Sequence, residues 1–77
     1  MRPDCKFEIK STESSEEFKE RIITDVCKRY NISRTCVKHV LGVALHFGWH
    51  VGGDKDSSVG FQTNHDRSVV WVCGVNT

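Results

Sequence analysis

Little in this chain announces a chemistry. Its 77 residues hold one proline (Pro3), one methionine and one tyrosine. With proline confined to the start, every later stretch is free to form helix or strand. No run of eighteen apolar residues occurs, and the first residues lack the basic and apolar regions of a secretion signal. We therefore expect no membrane partner and a cytoplasmic location. Charge of one sign is lacking too: 11 basic residues against 10 acidic leave a formal +1. That balance gives no broad electrostatic footprint for nucleic acid or an anionic membrane. Cys5, Cys27, Cys36 and Cys73 are separated by 22, 9 and 37 residues, which matches neither a CxxC pair nor a zinc knuckle. Each lies among apolar neighbours, where a thiol behaves as a small hydrophobe, so reduced core cysteines are expected. A chain of this length buries only about 60% of its unfolded surface, and association is a common way to add core.

What is present is periodic. Cys5, Phe7 and Ile9 alternate with Lys6, Glu8 and Lys10, the pattern of a half-buried strand. Ser14 with Glu17 fits a capping box, and Phe18, Ile22, Ile23, Val26 and Tyr30 then form one helical stripe that Asn31 ends. A second helix is expected from near Ser33, carrying Val37, Val40, Leu41, Ala44, Leu45 and Phe47 to a Gly48 cap. Gly42 inside it suggests close packing. Beyond Gly48 the period becomes two: Trp49 and Val51, then Val59, Phe61 and Thr63, then the run Ser68 to Cys73, apolar on both faces. Asn64-His65-Asp66 reads as a tight turn between the last two strands. The expected fold is α+β, residues 1–77 forming a single domain. A strand and an αα-hairpin precede two to three antiparallel strands, with the helices packed on the sheet.

Site chemistry is sparse. No serine stands in a G-x-S-x-G elbow and no carboxylate pair leaves a solvated helix face, so no enzyme is expected. Cys36, His39, His46 and His50 fall on one side of the second helix. At about 1.5 Å per residue they spread over roughly 21 Å, too far for one tetrahedral ion. Asp54 to Ser58 suggest a calcium loop, but Val59 and His65 replace the required glycine and glutamate. No metal or other cofactor is expected. A helix-turn-helix is the strongest alternative. Val26 to Val37 has the small residue, turn and S-R-T start of bacterial repressors, with Ser33, Arg34 and Thr35 placed to meet DNA.

More of the chain resembles the dynein light chain family, as in axonemal and tegumental relatives. The motifs are Ile9-Lys10, Glu16-Glu17, Tyr30-Asn31-Ile32, Phe47-Gly48, Trp49-His50-Val51, Gly60 to Asp66 and Val69 to Gly74. The resemblance implies a non-catalytic homodimer, cytoplasmic and cytoskeleton-associated, that takes linear peptide motifs of partner proteins, dynein intermediate chain among the candidates. In the family the strand matching Gly60–Asp66 crosses to the partner's sheet, and its edge accepts the peptide as an added strand. By motif match Phe61, Gln62, Thr63, Asn64, His65 and Trp71 would contact the peptide. Trp49, His50 and Gly60 would lie at the dimer interface, where a histidine makes association acid-sensitive. The sequence departs from the family pattern at Asn64, usually threonine, and in the longer hairpin at Asp54 to Ser58. At Val75-Asn76-Thr77 family domains have a further apolar strand.

Overall fold

Each helix is started and stopped by its own side chains. The Ser14 hydroxyl accepts the Glu17 backbone N–H at 3.2 Å, and the Glu17 carboxylate takes the Ser14 N–H at 3.0 Å. This closes the expected capping box on α1 (Ser15–Tyr30). Asn31 adopts the left-handed conformation that turns the chain out of the helix. Ser33 caps α2 (Arg34–Phe47) by accepting from Cys36 N–H at 3.2 Å. At its far end Gly48, with φ 95°, returns its N–H to the Ala44 carbonyl at 2.7 Å. The computed structural model describes residues 5–54 and 57–74. Lys55 and Asp56 of the expected polar loop, and Val75-Asn76-Thr77, lie outside the described residues.

The remaining elements are strands: β1 (Cys5–Glu8), β2 (Trp49–Asp54), β3 (Ser57–Thr63) and β4 (Val69–Gly74). They form a four-stranded antiparallel sheet in the order β1-β4-β3-β2. Together with the two helices this is a small α+β domain. β4 is central, as its two-sided apolar sequence suggests. Among the described residues no helix is long and apolar enough to cross a membrane.

Strand register fixes which side chains share a face. Phe61 stands opposite both His50 and Val72, and Thr63 opposite Val70. Phe61, Val59, Val70 and Val72 are buried against Phe18, Ile22, Val26, Val37, Val40, Leu41 and Ala44 of the helices. Each of these side chains except Ala44 contributes about 1.5–3 kcal/mol on leaving water. Cys5, Cys27 and Cys36 pack half-buried against this core. Burial, and secondarily the neighbouring Cys36, push the Cys27 thiol above its ordinary pKa. Gly42 departs from expectation. It is exposed on α2, and a Cβ there would meet nothing within 4 Å, so no close approach requires it.

The other face of the sheet is not covered by the helices. Lys6, Trp71, Gln62 and Trp49 form one row across it, in that order. Val51 and Gly60 form part of the next row, and a Cβ on Gly60 would lie 2.9 Å from Val51 Cγ2. Here glycine is needed for cross-strand packing rather than for an unusual φ.

Candidate interaction site

A sheet with two edges has two places where another chain could add a strand, and this sequence treats them differently. In antiparallel pairing, successive residues direct their backbone groups alternately toward and away from the neighbouring strand. The Ile9 N–H reaches the Ser68 carbonyl at 2.9 Å, so Phe7 and Cys5 also pair inward while Lys6 and Glu8 point outward. That outer edge of β1 is guarded. Arg21 Nη2 donates to the Glu8 carbonyl at 2.8 Å. The same guanidinium holds Glu13 through two bonds of 2.9 Å and lies 5.8 Å from the Phe7 ring centroid and 5.4 Å from that of Phe18. Pairing with Arg21 lowers the Glu13 carboxyl from 4.5 to about 2. Lys6 and Glu8, ion-paired at 3.0 Å, put charge along the strand. Charged side chains and an occupied carbonyl are standard protection for an edge.

Among the described residues the edge of β2 carries no such protection. Thr63 N–H donates to the Gly48 carbonyl at 2.8 Å, which sets the alternation for this pair. His50 and Gly52 therefore pair with β3, whereas Trp49, Val51 and Gly53 turn their N–H and C=O groups away from it. Among the described residues the most exposed large apolar side chains are Phe47 at 70%, at the end of α2 just before this strand, and Trp49 at 65%, on the strand itself. Single exposed apolar residues are ordinary; two together at an unpaired strand edge make a candidate contact surface.

Arg67 sets the position of that surface. Its Nε donates to the Leu45 carbonyl at 2.7 Å and its Nη2 to the His46 carbonyl at 3.2 Å, so it satisfies orphan carbonyls at the end of α2. A third bond, Nη1 to the His65 carbonyl at 2.7 Å, ties the β3–β4 connection to the same point. Arg67 holds φ 65°, a conformation that costs a non-glycine residue about 1 kcal/mol or more. The connection is five residues, 64–68, rather than a three-residue turn. Asn64 accepts the Val69 N–H at 3.0 Å, and Asp66 accepts the Ser68 hydroxyl and N–H at 2.6 and 3.1 Å. The Ser68 hydroxyl bond, then the N–H bond, lowers the Asp66 carboxyl below its usual range.

The expected peptide contacts do not gather in one groove. Phe61 is a core residue at 2% exposure, and Thr63 faces the same side. Asn64 is occupied in the connection and His65 is exposed there. Only Gln62 and Trp71 share the uncovered face, next to Trp49. The expected interface residues divide as well: Trp49 and Gly60 lie on the uncovered face, His50 on the helix face opposite Phe61. The edge expected to be open is closed, because β3 lies between β2 and β4 of its own chain and is paired on both sides. Sequence reasoning missed Arg21 as an edge guard and Arg67 as a helix cap. Neither role has a local signature, since each joins segments far apart in the chain.

The residues of the helix-turn-helix alternative are engaged elsewhere. Ser33 is the α2 cap, and Arg34 pairs with Glu20 of α1. α2 packs on the sheet, and beside its open side Glu16 and Glu20 alternate with Lys19 and Lys38, a balanced surface rather than a basic stripe. Among the described residues no three His, Cys, Asp or Glu side chains are grouped to hold a metal. In comparison with known proteins, the chain matches no family model, no curated protein and no solved structure.

Proposed function

We propose that the chain is a non-catalytic interaction module of the dynein-light-chain type, joining other chains by β-strand addition. It takes linear peptide segments of partner proteins, and forms homodimers, through the free edge of β2 rather than through β3. The observation that carries this is the backbone of Trp49 and Val51, turned away from β3 and unpaired among the described residues, beside exposed Phe47 and Trp49. An added strand gains main-chain hydrogen bonds at every second residue, and the uncovered row of Trp49, Gln62 and Trp71 supplies side-chain choice. The element order and the Trp49-His50-Val51 exit support the family likeness. A soluble partner in the cytoplasm, associated with the cytoskeleton, is consistent with that likeness.

Selection from a library of displayed linear peptides tests the proposal. Peptides should be enriched that bind extended, and Trp49→Ala should weaken them by about 2 kcal/mol, the size of an interface hot spot. Enrichment of no peptide, or binding indifferent to Trp49, counts against it.

A further inference from the structure

The chain has two tryptophans, and both stand in the row that crosses the uncovered face. Trp49 lies opposite Gln62 and Gln62 opposite Trp71, so both indoles project from one side with a single glutamine between them. The ladder fixes how far apart they are. Asn64 N–H donates to the Val69 carbonyl at 3.3 Å, which makes Gln62 and Trp71, two residues further on, a hydrogen-bonded pair. The Thr63 bond to Gly48 makes Gln62 and Trp49 a pair without such bonds. Cα atoms lie about 5.5 Å apart in the first kind of pair and about 4.5 Å in the second, so Trp49 and Trp71 stand about 10 Å apart across β3. Trp49 is largely exposed, Gln62 is exposed and Trp71 is half-buried.

A polyproline II helix repeats at nearly that spacing. With three residues per turn and about 3.1 Å per residue, every third side chain returns to the same side after about 9.3 Å. We infer that the uncovered face is a second binding site, whose ligand is a proline-rich segment of a partner protein lying across the strands as a polyproline II helix. Prolines three residues apart stack on Trp49 and Trp71, each ring presenting C–H groups to the negative face of an indole. The ligand backbone has no internal hydrogen bonds, so its carbonyls are free to accept from the Gln62 amide. Such a helix is already formed before binding, which keeps the loss of entropy small.

Charge separates this ligand from others that stack on aromatic rings. Among the described residues the strands place two charges on this face, Lys6 and Glu8, and these pair with each other at 3.0 Å. Single-stranded nucleic acid would find rings there but no cation left over for its phosphates. An uncharged proline-rich segment needs none. The site is also distinct from strand addition at β2, because proline has no N–H to give to a ladder.

Fluorescence titration of the whole chain with acetylated hexaproline tests this, since both tryptophans of the chain report from the site. The expected result is a saturable change in emission. Its dissociation constant should rise about 10-fold or more in Trp49→Ala and about 3-fold in Gln62→Ala. Both side chains are exposed, so the fold survives either substitution, and Trp71 still reports. No saturable change, or equal affinity in Trp49→Ala, overturns the inference. So does tighter binding of an oligothymidylate than of hexaproline. Hexaproline cannot add as a strand, so a negative result here leaves the pairing proposed at β2 standing, and that pairing is read separately by the displayed-peptide selection.

Discussion

The two edges of this sheet are built on opposite principles. β1 alternates charge outward, has its free Glu8 carbonyl occupied by Arg21, and leaves little for another strand to bind. β2 offers backbone that is unpaired among the described residues, flanked by tryptophan and phenylalanine, and its one charged residue is Asp54 at its end. A small domain that needed only to stay soluble would guard both edges. Guarding one and leaving the other apolar is what the proposed strand addition at β2 requires.

The largest effect that would sharpen the comparison comes from the layer beneath both edges. Phe61→Ala should cost about 3–5 kcal/mol in urea unfolding, because the ring fills the core between sheet and helices. If Phe61 were instead a peptide contact, the substitution would change binding and leave stability nearly unchanged. Next comes Arg67, which holds the β2 region in place. Arg67→Ala should cost about 2 kcal/mol through lost charge-assisted bonds to the Leu45 and His46 carbonyls. Arg67→Gly should cost about 1 kcal/mol less, since glycine adopts φ 65° without strain. Equal losses in the two variants would show that the backbone conformation costs nothing.

Gly60→Ala is a smaller perturbation of the β2–β3 contact. Its methyl would press on Val51 Cγ2 at 2.9 Å, and about 1–2 kcal/mol of destabilisation is expected in thermal or urea unfolding. Acid acts on the other edge. Glu13 has a folded pKa of about 2 against an ordinary 4.5, so its stabilising bond to Arg21 is fully present above pH 4.5. It is lost as the pH falls through about 2. Between those values the wild type should lose stability that Glu13→Gln does not lose, measured as the difference in urea midpoints. Opening the guarded edge outright, with Arg21→Met and Lys6→Val together, should convert the proposed dimer into larger assemblies visible by light scattering.

Much of the scaffold was legible because its signals are local. Ser14 and Glu17 mark the start of α1, Asn31 and Gly48 the ends of both helices, and the change from a helical period to a period of two marks β2. The site was less legible. Alternation already grouped Phe61 with Val59 and Thr63, and that alone forbids Phe61 and Gln62 from lining one face. The peptide contacts implied by the resemblance at Phe61, Gln62 and Thr63 therefore divide between the two faces. Strand order is a long-range property: nothing within Gly60–Asp66 says that β3 will be paired on both sides. Gly42 shows the converse error, a local signal that the tertiary structure leaves without a packing role.

The central claim is that β2, and not β1 or β3, is where another chain pairs. Amide hydrogen exchange followed by NMR across a dilution series tests it most directly, because Trp49 and Val51 on one edge and Lys6 and Glu8 on the other all point outward. The account predicts that the Trp49 and Val51 amides become more protected as protein concentration rises, while those of Lys6 and Glu8 exchange at the same rate throughout. Concentration-dependent protection at Lys6 and Glu8 with none at Trp49 and Val51 would contradict it.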